Sequence, residues 1–302
     1  MHTEQATQRL VAIKPIRVPT EGRGIDLPVK VTAPESGRDL PLIVFSHGNA
    51  WSMDGYEPLV DRWAAAGFVV VQPTHLDSRR NGIGFDDPRF GTIWRVRIAD
   101  LHAVLDNLGD ILDQAGLRGR VDEGRVAAVG HSWGGQTVGT LLGARVLDAD
   151  GTPGEDFSHH AVRAGVLIAA TGTGDSLTPF AAEHLPFMRP DYSTMTTQTL
   201  VITGGEDKSA MSTRGPDWFT DAYHLSPAPK SMLTIAEGQH TLGGIAGESV
   251  AETTDEDPAR VALVADAVSA YLLDVLGLDG GAWKDLGERA ANSDGAYRVE
   301  HR

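Results

Sequence analysis

The sequence predicts an α/β fold, in which helices cover both faces of a mostly parallel, twisted sheet. Short apolar runs typical of buried strands alternate with stretches of helical periodicity along most of the chain. No internal repeat and no domain linker interrupts this alternation. We therefore expect a single domain over residues 1–302, with its core at about 27–276 and a weakly patterned tail from 277.

The first elements predict one antiparallel pair followed by the start of the parallel sheet. Residues 10–18 and 27–33 alternate between apolar and polar side chains, and their prolines suit the edge of a sheet. Residues 41–46 read as a buried strand, 55–66 as a helix and 68–72 as the next strand.

The middle of the chain predicts a long amphipathic helix with an apolar stripe between 101 and 112. Arg97 and Asp100 lie outside this stripe, so we expect them to form a solvated ion pair. Four further strands are expected at 125–130, 166–169, 200–203 and 232–235. A closing helix begins at the N-cap signal Asp257-Pro258. The insertion at 171–198 is long enough for a lid or pocket rim but too short for a large cap domain.

Composition limits the classes of partner and the cellular compartment that we expect. Acidic residues exceed basic ones by 41 − 26 = 15, which disfavours nucleic acid and anionic membranes as partners. The chain has no cysteine, so it forms no disulfide. Residues 1–10 show no signal peptide and no stretch is apolar enough to span a bilayer, so we expect a cytoplasmic protein. The sequence leaves the oligomeric state open.

Residues 126–135 carry the strongest chemical signal. A short apolar run ends in Gly-His-Ser-Trp-Gly, with Gly130, Ser132 and Gly134 in the Gly-x-Ser-x-Gly positions, and a helical segment follows. This strand–turn–helix context is typical of a nucleophile elbow, where a strained turn holds the serine hydroxyl clear of the sheet. We therefore interpret Ser132 as a nucleophile.

A base and an acid follow Ser132 at two later strand ends. A serine hydroxyl needs an adjacent histidine base, which an acid orients. Asp207 follows the strand at 200–203, and His240 follows the strand at 232–235. Because the carboxyl ends of parallel strands share one sheet edge, we expect Ser132, His240 and Asp207 to form a triad. Glu206 is the alternative acid.

Two backbone N–H groups are candidates for an oxyanion hole. One belongs to Trp133, directly after the nucleophile, and the other to Asn49, with Ala50 as the less favoured alternative. His47 in the same loop is expected to brace it, because His240 already supplies the base. The Trp133 indole is expected to line or narrow the acyl pocket.

Four further residues are candidate substrate contacts because they lie near the predicted strand ends or in the insertion: Trp51, Met53, His75 and Phe187. His159-His160 suggests a metal site only weakly, since no third ligand accompanies the pair at a convincing spacing. We therefore predict a polar loop there, and no metal and no cofactor.

Together these residues resemble the α/β-hydrolase superfamily, and within it the branch of dienelactone hydrolases, chlorophyllases, platelet-activating-factor acetylhydrolases and bacterial polyester hydrolases. Besides the elbow, four segments carry the resemblance: 44–49, 67–73, 204–207 and 240–245. The resemblance implies a serine carboxylic-ester hydrolase that forms an acyl-enzyme on a small-molecule ester without a cofactor. A lactonase, a small-peptide hydrolase and a ligand receptor that keeps its triad are the alternatives. Trp133 departs from the branch, where a smaller residue commonly follows the serine.

Overall fold

The computed structural model describes residues 8–84, 87–247 and 253–302. Its strands in chain order are β1 (Leu10–Val18), β2 (Leu27–Pro34), β3 (Leu40–Ser46), β4 (Val69–Pro73), β5 (Val121–His131), β6 (Arg145–Val146), β7 (Val162–Ile168), β8 (Pro190–Asp191), β9 (Thr199–Gly204), β10 (Lys230–Ile235) and β11 (Tyr297–His301). Within these ranges, nine strands form one sheet in the order β1-β2-β4-β3-β5-β7-β9-β10-β11, while β6 pairs with β8. The six strands from β4 to β10 in that order are parallel, and β1, β2 and β11 are antiparallel to their neighbours.

Helices cover both faces of this sheet. In chain order they are α1 (Glu57–Ala65), α2 (Ile93–Asp106), α3 (Leu108–Gln114), α4 (Trp133–Leu141), α5 (Pro179–His184), α6 (Asp221–Leu225), α7 (Pro258–Val275) and α8 (Gly281–Ala291). Apolar side chains of α2, α3, α4 and α6 pack on one face, and those of α1, α7 and α8 pack on the other. The predicted α/β class with a mostly parallel sheet is confirmed. Among the helices in the described ranges, none has the length and apolar character needed to cross a membrane.

Strand β3 shows how the sequence produces these two layers. Val44 belongs to the apolar cluster under α2, α3 and α4, while Ile43 and Phe45 belong to the cluster under α1 and α7. All three side chains are fully buried. Successive side chains of a strand point to opposite faces, so a continuous apolar run is what a strand covered on both sides requires.

The two ends of the main sheet differ in how well the sequence predicts them. The antiparallel pair β1–β2 is confirmed, with β1 at the edge and Pro28 at the second residue of β2. The tail after 277 was predicted to have little pattern, but it forms α8 and then β11, which pairs with β10. The sheet therefore extends beyond the predicted 27–276 core at both ends. Of residues 1–10, where no signal peptide is predicted, 1–7 lie outside the described residues.

The predicted long helix is two helices, α2 and α3, separated at Asn107. The Asn107 side-chain amide donates a hydrogen bond to the carbonyl of Ala103 at 2.8 Å, which competes with continuation of the helix. The predicted solvated ion pair of Arg97 with Asp100 is wrong. Both side chains are buried, and each pairs with another charged group described below.

The insertion at 171–198 contains α5 and β8 and packs beside the elbow helix α4. The side-chain amide of Gln136, on α4, donates to the carbonyl of Phe187 at 2.7 Å. This contact fixes part of the insertion against the helix that follows Ser132.

Candidate active site

Ser132 occupies the sharp turn between β5 and α4. Its backbone has φ 56° and ψ −124°, a strained conformation for a residue with a side chain. Close backbone contacts require the flanking glycines: a Cβ on Gly130 would lie 2.2 Å from the Gly134 carbonyl oxygen, and one on Gly134 would lie 2.1 Å from the Ser46 carbonyl oxygen. The turn has the geometry that the sequence predicted for a nucleophile elbow.

The structure brings the serine, the histidine and the aspartate into one hydrogen-bonded chain. The hydroxyl oxygen of Ser132 lies 2.9 Å from Nε2 of His240, and Nδ1 of His240 lies 3.0 Å from Oδ2 of Asp207. Asp207 is fully buried in the loop after β9, whereas the His240 side chain, in the loop after β10, is 28% exposed. The alternative acid, Glu206, is exposed at the surface.

The loop after β3 leaves one backbone N–H available beside the serine. A Cβ on Gly48 would come within 3.6 Å of the Ser132 Cβ, so this loop runs directly past the nucleophile. The N–H of Gly48 donates to the hydroxyl of Tyr56 at 3.0 Å, and that of Ala50 donates to Asp77 at 3.1 Å. Among the described residues, the N–H of Asn49 has no acceptor. This selects Asn49 over Ala50 as the candidate donor.

The second candidate donor is the N–H of Trp133, the first residue of α4. The first N–H groups of a helix have no partner within the helix and point away from its N-terminus. They also carry the partial positive charge of the helix dipole, which favours a negative charge nearby. The N–H of Trp133 is therefore suited to bind an oxyanion.

A buried hydrogen-bonded relay connects the loop after β3 to the loop of His240. The hydroxyl of Tyr56 accepts from Gly48 N–H, and it lies 2.8 Å from Nδ1 of His131. Nε2 of His131 lies 2.9 Å from the carbonyl oxygen of His240. Burial and the neighbouring His240 lower the pKa of His131 to about 3, so this ring is neutral. We assign its proton to Nε2, because the His240 carbonyl can only accept, which leaves Nδ1 to accept from the tyrosine.

His47 and His75 form a second buried pair behind the same loop. Nδ1 of His47 donates to the carbonyl of Gly48 at 2.7 Å, and its Nε2 accepts from the N–H of His75 at 3.0 Å. Burial and the Arg97 guanidinium lower the pKa of His47 to about 4, which fits its predicted role as a brace.

The predicted substrate contact of His75 needs correction. His75 is fully buried, and its two ring nitrogens lie 2.9 Å from the hydroxyl of Ser46 and 3.0 Å from Asp100. Burial and nearby arginines hold its pKa well below the usual value. With no exposed surface and both nitrogens occupied, this ring supports the loop from behind.

Two buried ion pairs stabilise this region, and the sequence did not predict them. Arg97 is fully buried, donates to Asp77 at 2.7 Å and also donates to the carbonyl of His47. Arg23 donates to Asp100 at 2.7 Å. Burial raises the pKa of Asp100 to about 7, against the opposing effect of Arg23. Because Asp77 also holds Ala50 N–H, the Arg97 pair helps to set the shape of the loop that contains Asn49.

We expect Arg97→Met to lower the free energy of unfolding by about 3–5 kcal/mol, because Asp77 would remain buried without its partner. The control is Arg95→Met on the same helix. The Arg95 side chain is 48% exposed and its ion pair with Glu155 is 3.5 Å long, so about 1 kcal/mol or less should be lost. Urea unfolding of both variants measures the difference, and equal losses would contradict the role given to Arg97.

We also expect the protein to lose stability in acid between pH 6.5 and pH 4. Unfolded His47 and His131 bind a proton near pH 6.5, whereas folding lowers their pKa values to about 4 and about 3. In this window unfolding therefore takes up protons on two histidines, while Asp100, whose pKa folding raises to about 7, gives one up. The unfolded state still binds more protons, so the free energy of unfolding falls by up to about 1.4 kcal/mol per pH unit. Urea titrations at several pH values test this, and a constant free energy between pH 7.5 and 5 would contradict it.

The aromatic candidates lie on two sides of the elbow. The indole of Trp133 is only 3% exposed and stacks on Phe187, with ring centroids 5.2 Å apart. It also lies 6.2 Å from the Phe90 ring and 4.9 Å from the Arg97 guanidinium, measured from the ring centroid. Trp51 is half-buried with its ring edge towards Tyr56, and Met53 is buried. Trp133, on α4, and Phe187, in the insertion, thus form a packed aromatic pair with very little surface open to solvent.

An open groove of about 850 Å³ lies beside His240. Polar side chains contribute much of its lining: Glu206, Lys208, Ser209, Gln239 and Thr253. His240 and Glu206 both line this groove, whereas the buried Asp207 is not among its lining residues.

The described residues that come nearest to a metal site are His102, Asp106 and His159, whose ligand atoms lie within 4.8 Å of one another. The sequence did not reveal this cluster, because His159 lies 53 residues after Asp106. Hydrogen bonds already engage it: Nε2 of His102 with the Phe157 carbonyl, Nε2 of His159 with Asp106, and Nδ1 of His159 with Ala161 N–H. These contacts account for the cluster as a polar junction between α2 and the 155–160 loop.

A sequence profile described as the Alpha/beta hydrolase family matches residues 43–289. The matched range begins in β3, ends in α8 and includes Ser132, Asp207 and His240. A comparison with curated proteins found no match. The narrower branch suggested by the sequence therefore stays a prediction.

Proposed function

The chain belongs to the alpha/beta hydrolase family, and from that premise we propose that it is a serine hydrolase of carboxylic esters. The observation that carries the proposal is the hydrogen-bonded chain from the strained Ser132 through His240 to the buried Asp207, with contacts of 2.9 and 3.0 Å. A serine hydroxyl is a weak nucleophile at neutral pH, and this arrangement of base and acid is what activates it.

The proposed reaction has two halves. In the first, Nε2 of His240 takes the hydroxyl proton as Ser132 Oγ attacks the ester carbonyl carbon, and the histidine then gives that proton to the leaving alcohol. In the second, the same nitrogen takes a proton from water, the water oxygen attacks the acyl-enzyme, and the proton returns to Ser132 as the acid departs. Asp207 accepts from Nδ1–H throughout and stabilises the imidazolium.

The developing oxyanion is proposed to accept from the N–H groups of Asn49 and Trp133. Both groups are without an acceptor among the described residues, and preorganised donors of this kind lower the barrier when charge develops. The groove beside His240 offers a polar surface for one part of the ester, and we assign the leaving alcohol to it because His240 must reach the leaving oxygen.

A series of p-nitrophenyl esters from acetate to palmitate tests the proposed activity. We expect many turnovers per protein molecule with at least one of the shorter esters. One turnover or none, together with tight binding of the ester, would favour a receptor that retains the triad. Turnover restricted to lactones or to aminoacyl p-nitroanilides would instead favour one of the other hydrolase activities of this fold.

Activity is expected to survive EDTA, because every step above uses only protein groups and water. The assay compares initial rates before and after dialysis against EDTA. A loss that a divalent cation restores would contradict the proposed mechanism.

A further inference from the structure

We infer that Tyr56 and His131 are positioning residues, which hold the oxyanion loop and the His240 loop at a fixed distance across the nucleophile. The inference rests on the proposed function, since it assigns roles within that same site. Neither side chain needs to touch the substrate, because Tyr56 acts through the N–H of Gly48, next to Asn49, and His131 acts through the carbonyl of His240.

The contacts form one continuous relay. Gly48 N–H donates to Tyr56 Oη at 3.0 Å, Tyr56 O–H donates to His131 Nδ1 at 2.8 Å, and His131 Nε2–H donates to the His240 carbonyl at 2.9 Å. Each group in this series uses its donor and its acceptor in one consistent direction. Gly48 directly precedes the proposed donor Asn49, so the relay connects the group that binds the oxyanion to the residue that moves the proton.

Both side chains of the relay are buried. Tyr56 is fully buried and His131 is 1% exposed, so neither can exchange these partners for water. The ring of Tyr56 packs edge-on against Phe45 at 4.8 Å between centroids. Tyr56 also has a backbone φ of 68°, which is costly for a bulky residue and is maintained only where surrounding structure demands it.

The structure also explains why a tyrosine and a histidine suit these positions. The acceptor of Gly48 N–H must itself donate onward, which a phenol hydroxyl does and a carbonyl does not. The next group must accept on one side and donate on the other, which a neutral imidazole does. Because burial keeps His131 neutral, the relay adds no charge beside His240.

Tyr56→Phe tests the inference, because it keeps the ring and removes the hydroxyl. We expect kcat for a short p-nitrophenyl ester to fall about 10- to 100-fold with KM within about twofold, since a displaced oxyanion donor acts on the transition state. The pH–rate profile should keep its shape and midpoint while its height falls. An unchanged kcat, or a rise in KM alone, would overturn the inference.

Tyr192→Phe is the matched control. Tyr192 is also buried and its hydroxyl donates to the carbonyl of Thr171, outside the relay. Both variants lose one buried hydroxyl, so both should lose similar thermal stability, but only Tyr56→Phe should lose kcat. Equal losses of kcat would mean that general destabilisation is responsible, and the inference would be wrong.

A double-mutant cycle with His131→Phe tests whether the relay acts as one unit. Phenylalanine keeps an aromatic ring but provides neither the acceptor for Tyr56 nor the donor for the His240 carbonyl. If the relay is continuous, the double variant should lose at most about twofold more kcat than the worse single variant. Losses that multiply would show two independent effects and would overturn the relay.

Titration with diethyl p-nitrophenyl phosphate separates this inference from the proposed function. Stoichiometric labelling of Ser132 in the wild-type protein and in Tyr56→Phe, with slower labelling in the variant, supports both. Labelling of Ser132 at equal rates in the two proteins overturns the relay alone. If wild-type Ser132 is not labelled, the proposed function fails, and the positioning roles fail with it.

Discussion

Ser132→Ala is expected to lower kcat for a short p-nitrophenyl ester by about 10⁴- to 10⁶-fold, because the histidine base has no nucleophile to deprotonate once the hydroxyl is removed. The fold should persist. Alanine keeps the Cβ and has the same strained backbone at φ 56°, so the melting temperature should change little. Steady-state kinetics with a thermal unfolding scan measure both quantities.

Ser158→Ala is the control for this prediction, since Ser158 is exposed in the loop before β7 and no described hydrogen bond joins it to the triad. It should keep wild-type activity. If Ser132→Ala retained more than about a tenth of wild-type kcat, another residue would have to be the nucleophile.

Asp207→Asn is expected to lower kcat by about 10³- to 10⁴-fold, while Glu206→Gln should cost less than about tenfold. Asp207 accepts from Nδ1–H of His240 and is fully buried, so its loss favours the wrong tautomer of the histidine. Glu206 is exposed on the groove wall and its carboxylate has no contact with His240 in the described hydrogen bonds. Both substitutions preserve size and remove one negative charge.

Comparing these two variants tests which of two adjacent carboxylates in one loop is the triad acid. Kinetics on purified, folded proteins decide it. A larger loss in Glu206→Gln than in Asp207→Asn would transfer the acid role to Glu206 and contradict the geometry described above.

Local patterns predicted the parallel part of the fold well. Each buried strand is an apolar run that ends at a turn, and the Asp257 side chain caps α7 by accepting from Ala259 N–H at 2.8 Å. The tail after residue 277 was harder to predict, because β11 is a short edge strand with charged residues and α8 buries few side chains. Such elements depend on the pairing partner, here β10, which local sequence does not reveal.

Most of the contacts that support the candidate site could not be predicted from the sequence. Arg97 and Asp100 were predicted to be surface charges. A helical pattern shows which side of the helix is apolar, but it does not show which charged group from another segment packs against the other side. Their partners, Asp77 and Arg23, come from other parts of the chain. The same is true of His75, whose position after a strand suggested a substrate contact, although both its ring nitrogens are engaged in the interior.

That Ser132, Asp207 and His240 lie close together could be predicted for a physical reason. Each follows a parallel strand, and the carboxyl ends of such strands lie on one edge of the sheet whatever separates them along the chain. The Tyr56–His131 relay has no comparable rule. His131 was visible only as the variable residue of the elbow motif, and Tyr56 only as a residue of the predicted helix at 55–66.

Mass spectrometry of the protein after reaction with diethyl p-nitrophenyl phosphate tests the central claim most directly. We expect one diethyl phosphoryl group per chain, on the peptide containing Ser132, with release of one equivalent of p-nitrophenol. The label should be absent from Ser132→Ala and present in Ser158→Ala. A label on another residue, or an unlabelled wild-type protein that still hydrolyses esters, would contradict the assignment of Ser132 as the nucleophile.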